Sequence, residues 1–458
     1  RHNTFRERAK GERFQWQNRA WDVASALRER SAAQGFFCIN MASTGCGKTF
    51  ANARIMYALT DEHEGCRFSI ALGLRTLTLQ TGQALRERLR LDEDTLAVVT
   101  GSAAVRELYE RQLKEQKKQE EPDDNSASDE GFFASHQYVH YEGSVCQGIT
   151  QQWLSSEPAL NRLVSAPVLV TTIDHLMPAT EGIRGGRQIP AMLRLMTSDL
   201  VLDEPDDFDI DDLHALSRLV NWAGMLGSRV LLSSATLPPA LTQALFEAYR
   251  AGREAYQQAC GEPNRPVNIC CAWFDEYGAQ SQDVADSGMF QQAHARFVAG
   301  RLKNLPQQPV LRRGKLARVE PESTDAQTVI SAVAKTLHQY MPELHHAHHS
   351  VHKSGKTVSF GLIRLANINP LVAVAQVLMT MPSPENTCIH YCVYHGRHPL
   401  VVRSHIEARL DSAFTRHDPD SIWQFPEVKQ ALESPCQHHL FVVLGTSVLE
   451  VGRDFCAD

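Results

Sequence analysis

No stretch of this sequence approaches the roughly 18–20 consecutive apolar residues that a membrane-spanning helix needs; its apolar stretches, such as Val168-Leu169-Val170, are strand-length. The first residues, Arg1-His2-Asn3-Thr4-Phe5-Arg6-Glu7-Arg8, lack the apolar segment of a signal peptide. No Cys-x-x-Cys pair occurs, and the 11 cysteines are odd in number and spread from Cys38 to Cys456. A secreted disulfide framework is therefore not expected, and a reducing cytoplasm fits better. There is no internal repeat of fixed period. Nor is there an excess of positive charge: the formal net charge is −7. That balance favours no polyanion globally, but nucleic-acid contact depends on local patches and backbone amides. What is present is globular in kind, with 43% hydrophobic and 22% charged residues. At about 150 residues per domain, 458 residues predict two to four domains. The chain starts without Met and stops at Ala457-Asp458, and is expected to be a section of something longer.

Short apolar segments alternate with helical patterns. Gly35 to Met41 reads as a buried strand, and Phe50 to Leu59 as a helix after a Gly-rich loop. Strand-like runs recur at Phe68–Leu74, Leu96–Val99, Val168–Thr171, Leu200–Leu202 and Val230–Ser233. This alternation predicts an α/β fold with mainly parallel sheets flanked by crossover helices. A second such pattern includes Val358–Ile363, a helix through Leu371–Leu378, and strands at Thr387–Val393 and Leu440–Leu444. The predicted organisation is a first domain over 1–256, a connecting segment over 257–325 and a second domain over 326–458. Residues 107–130 are charged and apolar-poor, and read as an exposed insertion or a docking surface.

The strongest chemical signal is Ala42-Ser43-Thr44-Gly45-Cys46-Gly47-Lys48-Thr49 between a predicted strand and a predicted helix. It fits the phosphate-binding loop except that Ala42 stands at the usual first Gly. Gly45 and Gly47 let backbone amides wrap phosphate oxygens, and the following helix adds its positive end. ATP binding is therefore assigned to Ser43 through Thr49, with Lys48 reaching the β and γ phosphates and Thr49 ligating Mg²⁺. Leu200-Val201-Leu202-Asp203-Glu204 carries two acids out of a buried strand. Asp203 is assigned to Mg²⁺ and Glu204 to the attacking water as general base. Further on, Ser233-Ser234-Ala235-Thr236 follows another strand, and Ser234 and Thr236 are expected to couple the acidic motif to the neighbouring domain.

In this order the motifs resemble the superfamily 2 helicases of the DExD/H type. Phe14-Gln15-Trp16-Gln17 resembles the adenine-reading motif, which makes Gln17 the amide reader. Gly73 to Gln80, with Arg75 and Thr76, resembles motif Ia; Thr171-Thr172-Ile173-Asp174-His175-Leu176 resembles motif Ib. A more specific resemblance is to the helicase–nuclease of type I CRISPR interference in its subtype I-F form. It is carried by Leu202-Asp203-Glu204-Pro205-Asp206-Asp207-Phe208, Ser359 to Ile368, Tyr394-His395-Gly396-Arg397-His398-Pro399-Leu400 and Val448 to Asp454. The resemblance implies tandem RecA-like domains, the second incomplete, with ATP between them. It also implies 3′→5′ translocation on single-stranded DNA gripped by Arg75, Thr76, Thr171, Thr172, Arg364 and Thr446. The implied partners are an RNA-guided surveillance complex, the CRISPR adaptation proteins and phage anti-CRISPR proteins. An HD nuclease with its own metal is expected outside these residues, since His417-Asp418 lacks flanking ligands. Motif VI, with its arginine finger, is expected beyond Asp458, so these residues alone should bind ATP yet hydrolyse it poorly.

Three rival readings remain: an RNA-remodelling helicase, a non-helicase P-loop ATPase and a non-enzymatic docking module. His345-His346-Ala347-His348-His349 with His352 reads as a loop, without the cysteine or carboxylate partners of a zinc site. Cys388 and Cys392 share one strand face and read as core packing. Trp16, Trp21, Trp153 and Trp222 read as core residues before base-stacking ones. The run Arg301, Lys303, Arg312, Arg313, Lys315 and Arg318 reads equally as a phosphate track or a solvated linker.

Overall fold

The computed structural model describes residues 3–61, 65–73, 75–92, 95–99, 163–181, 185–208, 212–262, 265–307, 314–414, 419–446 and 449. The chain forms two compact units, Arg1–Pro309 and Val310–Asp458. The insertion read over 107–130, with Trp153, lies outside the described residues. Among the described residues, no helix is long and apolar enough to cross a membrane.

The first unit is built on an eight-stranded sheet in the order β3-β4-β2-β5-β6-β1-β7-β8. Its strands are β1 (Phe36–Asn40), β2 (Phe68–Leu72), β3 (Leu96–Val99), β4 (Val168–Thr172), β5 (Asp199–Asp203), β6 (Val230–Ser233), β7 (Ile269–Phe274) and β8 (Ala279–Val284). All neighbours pair in parallel except β7 and β8. Every residue of β1 is buried. Its side chains alternate between two cores, Phe36 and Cys38 entering one, Phe37 and Ile39 the other. This is the period-two consequence of a sheet covered on both faces, and explains why β1 reads as a continuous apolar run. The helices Trp16–Ala26 and Lys48–Leu59 cover the first face; Leu213–Met225, Pro239–Cys260 and Ser287–Asn304 cover the second.

The stretch read as a connection over 257–325 carries β7, β8 and the helix Ser287–Asn304, all within the first unit. The reason is burial: Ile269-Cys270-Cys271-Ala272-Trp273-Phe274 is wholly buried beside β1. Arg301, read as part of a basic run that is either a phosphate track or a solvated linker, is buried at 6% exposure and ion-paired. Arg312 and Arg313 lie outside the described residues.

The second unit holds a four-stranded sheet, β11-β12-β10-β9, made of β9 (Ser350–Val351), β10 (Thr357–Arg364), β11 (Thr387–Tyr394) and β12 (His438–Gly445). β10, β12 and β11 are parallel, and β9 pairs antiparallel to β10. Leu440, Val442 and Leu444 pack with the helices Ala326–Ala347 and Ile368–Thr380. Val443 points the other way, to Leu410 and Phe414.

Two sequence readings are corrected here. Cys388 is bonded to Cys436 rather than packed as a free thiol. Pairing of Thr387 with His438 brings the segment before β12 alongside β11, so the two Cα atoms stand 6.0 Å apart, within bridging range. His345 and His346 lie in the last turn of the helix Ala326–Ala347, not in a loop. The His345 ring meets Ser359 Oγ at 2.6 Å and Thr357 Oγ1 at 2.8 Å. Burial, then the nearby His349, His438, His346 and His439, push its pKa down from 6.5 to about 4. The neutral ring therefore contributes stability that is present above about pH 6.5 and lost as pH falls through about 4. Resistance of the second unit to urea is expected to fall as pH drops across that window, and His345→Leu to flatten the profile. Equal slopes for the two proteins would contradict this role.

Candidate nucleotide-binding site

Parallel strands deliver their C-terminal ends to one edge of a sheet, where ligands bind in open α/β folds. In the first unit that edge carries the phosphate loop after β1, the acids at the end of β5, the Ser-Ala-Thr segment after β6, and the ends of β2 and β4. The loop turns through Gly45 (φ 78°) and Gly47 (φ 79°), a left-handed course that favours glycine. The helix Lys48–Leu59 begins directly after it. The amides of its first turn have no carbonyl to bond within the helix and are available to an anion.

Two side chains hold this loop from behind. Trp16 Nε1 donates to Cys46 O at 3.1 Å. Gln17 Nε2 donates to Gly47 O at 3.2 Å, and Gln17 Oε1 accepts from Arg54 Nη1 at 3.4 Å. A Cβ at Gly47 would stand 2.6 Å from Gln17 Nε2, so besides straining the φ of 79° it would push the Gln17 amide from its place. Gln17, expected to read adenine, is 6% exposed and its amide touches the loop backbone.

Lys48 Nζ stands 3.2 Å from Glu204 Oε1. Glu204 itself has φ 50°, a conformation that costs a non-glycine residue about 1–3 kcal/mol and recurs at functional sites. Its N–H donates to Ser233 O at 2.7 Å, which ties the acidic turn to β6. Asp203 is buried, and burial followed by the charge of Glu204 raises its pKa to about 6 despite the opposing effects of Ser233 and Lys48. Its Oδ1 has no protein hydrogen-bond partner. A buried carboxylate oxygen left without a proton donor suits a cation, and Thr49 opens the adjacent helix with a hydroxyl, so the donor set fits a hard divalent ion. Thr236 Oγ1 donates to Asp206 Oδ2 at 2.6 Å, Thr236 N–H to Ser234 Oγ at 3.2 Å, and Ser234 N–H to Asn40 O at 3.1 Å. The Ser-Ala-Thr segment thus joins the acidic turn to the base of the phosphate loop.

The first-unit residues read as strand grips fall at the C-terminal edge of its sheet. Thr171 and Thr172 end β4 and are buried, with Thr171 Oγ1 donating to Val99 O at 3.1 Å. Arg75 and Thr76 open the helix Arg75–Leu89, and their side chains lie outside the described residues. In the second unit Arg364 and Thr446 come from the C-terminal ends of β10 and β12, where Arg364 is in register with Gly445. Ser447, Val448 and residues 450–458, which include most of the Val448–Asp454 resemblance segment, lie outside the described residues.

Asp275 and Glu276 were missed by the motif reading, while Phe208 was named only within a resemblance segment and Arg301 only within the basic run. The Phe208 ring packs on Gly73, where a Cβ would stand 3.2 Å from it, so the acidic turn touches the segment leading into the helix Arg75–Leu89. Asp275 and Glu276 follow the buried run of β7, and an acidic turn after an apolar strand was their one available signal.

Residues 357–458 match the family described as CRISPR-associated nuclease/helicase Cas3, C-terminal. The chain is 60% identical over 457 residues, 99% of its length, to the CRISPR-associated nuclease/helicase Cas3 subtype I-F/YPEST of Pectobacterium atrosepticum. It is 52% identical over 457 residues to the protein of the same description from Pseudomonas aeruginosa. It spans 42% of the length of each of these relatives. Among solved structures, that of T. fusca Cas3 with ATP aligns with 99% of this chain and 42% of its own, at TM-score 0.54 and 18% identity, and supports the fold. The two units thus have RecA-like α/β folds, and the chain is similar, over nearly its whole length, to a part of the subtype I-F CRISPR-associated nuclease/helicases.

Proposed function

We propose that this chain is the ATP-driven motor portion of a type I-F interference nuclease, translocating on single-stranded DNA. The carrying observation is the group formed by Lys48, Glu204 and the unpartnered Asp203 Oδ1 at the phosphate loop. The 60% identity to a subtype I-F nuclease/helicase supports the biological setting. In that setting an RNA-guided surveillance complex recruits the motor to foreign DNA, and an HD nuclease with its own metal cuts the strand. The CRISPR adaptation proteins and phage anti-CRISPR proteins are the further partners proposed.

The chemistry follows from the side chains. Loop amides from Thr44 to Thr49 hold the phosphates, and Lys48 places its charge on the β and γ oxygens. Thr49 and Asp203 would hold Mg²⁺, which when bound offsets phosphate charge. Lys48 Nζ and Glu204 Oε1 stand 3.2 Å apart. Phosphates that draw Lys48 away leave the Glu204 carboxylate free to accept the proton of the attacking water. Thr236 senses the same acidic turn through Asp206, and Phe208 links that turn to the start of the helix carrying Arg75 and Thr76. Backbone amides at the ends of β2 and β4 are proposed to meet phosphates of the DNA in the first unit, and Arg364 and Thr446 are proposed to do so in the second, so little base specificity is expected. The test is ATP hydrolysis by the full-length protein with single-stranded DNA or RNA of equal length. Stimulation by DNA is the expected result; equal or greater stimulation by RNA would favour an RNA-remodelling enzyme.

A further inference from the structure

Strand β7 runs parallel to β1 and ends level with it: Phe274 is in register with Asn40, and Met41 N–H donates to Phe274 O at 2.8 Å. The turn that follows, Asp275-Glu276-Tyr277-Gly278, therefore lies beside the first residues of the phosphate loop. Asp275 fixes the turn, its Oδ1 accepting from Tyr277 N–H at 2.9 Å and Gly278 N–H at 2.7 Å. Glu276 faces the loop. Its carboxylate accepts the Ser43 N–H at 3.0 Å and also the Ser43 hydroxyl proton. Arg301, from the helix Ser287–Asn304, completes the group. Its Nη1 donates to Glu276 Oε2 at 2.8 Å and lies 3.5 Å from Asp275 Oδ2, while its Nη2 donates to Ser43 Oγ at 2.9 Å. Arg19 Nη2 donates to Glu276 O at 3.1 Å from the helix that carries Trp16 and Gln17.

This is not a surface ion pair. The Arg301 side chain is 5% exposed and that of Glu276 14%. Two buried carboxylates beside a site for a polyphosphate would repel it, and Arg301, paired with both, offsets part of that charge. The group grips the loop at Ser43 from one side, while Trp16 and Gln17 grip Cys46 and Gly47 from another.

We propose that Glu276 and Arg301 are positioning residues that brace the phosphate loop through Ser43, so that nucleotide meets a loop already held in its binding course. The inference rests on the ATP reading above and deepens it. A braced loop has less freedom to lose on binding, so the brace acts on affinity more than on the chemical step. Glu276→Ala is expected to raise the Kd and KM for ATP about tenfold while kcat at saturation changes less than about threefold. Glu276→Gln keeps an acceptor oxygen for the Ser43 N–H and should recover most of the affinity. Arg301→Met leaves Asp275 and Glu276 unmatched and should weaken binding more than Glu276→Ala.

The test is direct titration of the full-length protein with a fluorescent ATP analogue, beside steady-state ATPase, with Lys48→Ala as the control. The order of Kd predicted is Arg301→Met above Glu276→Ala above Glu276→Gln, with kcat kept. Wild-type affinity in Glu276→Ala and Arg301→Met, with binding lost in Lys48→Ala, would overturn the brace and leave the ATP reading standing. No binding by the wild type would remove both. Should either variant fail to fold, Arg301→Lys decides. It keeps the charge but cannot fork to Glu276 and Ser43 together, so weaker binding supports the brace and unchanged binding overturns it.

Discussion

Glu204→Gln in the full-length protein is expected to bind ATP at least as tightly as the wild type and to hydrolyse it about 10²–10⁴-fold more slowly. The carboxylate is held where it is by the backbone, through its left-handed φ of 50° and the 2.7 Å hydrogen bond from its N–H to Ser233 O. The substituted side-chain amide would occupy the same turn, so the fold of the site survives. It cannot take a proton from water. It also carries no charge to oppose the incoming phosphates or to hold Lys48, which Glu204 meets at 3.2 Å. Binding and turnover therefore separate, and nucleotide titration beside ATPase assays measures the two. A variant with wild-type turnover would remove Glu204 as the base.

Lys48→Ala is expected to lower kcat/KM by about 10²–10³-fold through loss of the charge aimed at the transferring phosphoryl group. Here binding falls as well. The Lys48 side chain is 10% exposed, so its charge acts where water screens it little. Its removal also leaves Asp203 and Glu204, two acids on one turn, without the cation that opposes them, and the burial that already raises the pKa of Asp203 goes less compensated. Titration with ATP and a DNA-stimulated ATPase assay should show both losses. Retained affinity with lost turnover would place Lys48 in the chemical step alone.

The parts of this site that consecutive residues encode were legible in the sequence. Ser43 to Gly47 form a loop with glycines at Gly45 and Gly47, whose positive φ angles favour glycine, between β1 and the helix that starts at Lys48. Asp203 and Glu204 were legible because an acid at the end of an apolar run has one place to emerge. The brace was not legible. Glu276 lies 233 residues from Ser43 and Arg301 lies 258 from it, and only the parallel pairing of β7 with β1 brings them together. The same run of β7 was read as a connection because Ile269 to Phe274 follows a long helix without a motif. Exposure was equally hidden: Thr171 looks like a phosphate grip in sequence, yet its hydroxyl is bonded to Val99 O within the sheet. The Cys388–Cys436 bond depends on strand register, which spacing along the chain does not reveal.

We propose that Lys48, Asp203 and Glu204 form an ATP-hydrolysing centre that drives movement along DNA. Strand displacement from a partly duplex DNA by the full-length protein, with ATP and Mg²⁺, measures this most directly. Displacement by the wild type that is absent in Glu204→Gln, with ATP binding retained, is the predicted result; displacement at the wild-type rate by Glu204→Gln would contradict it.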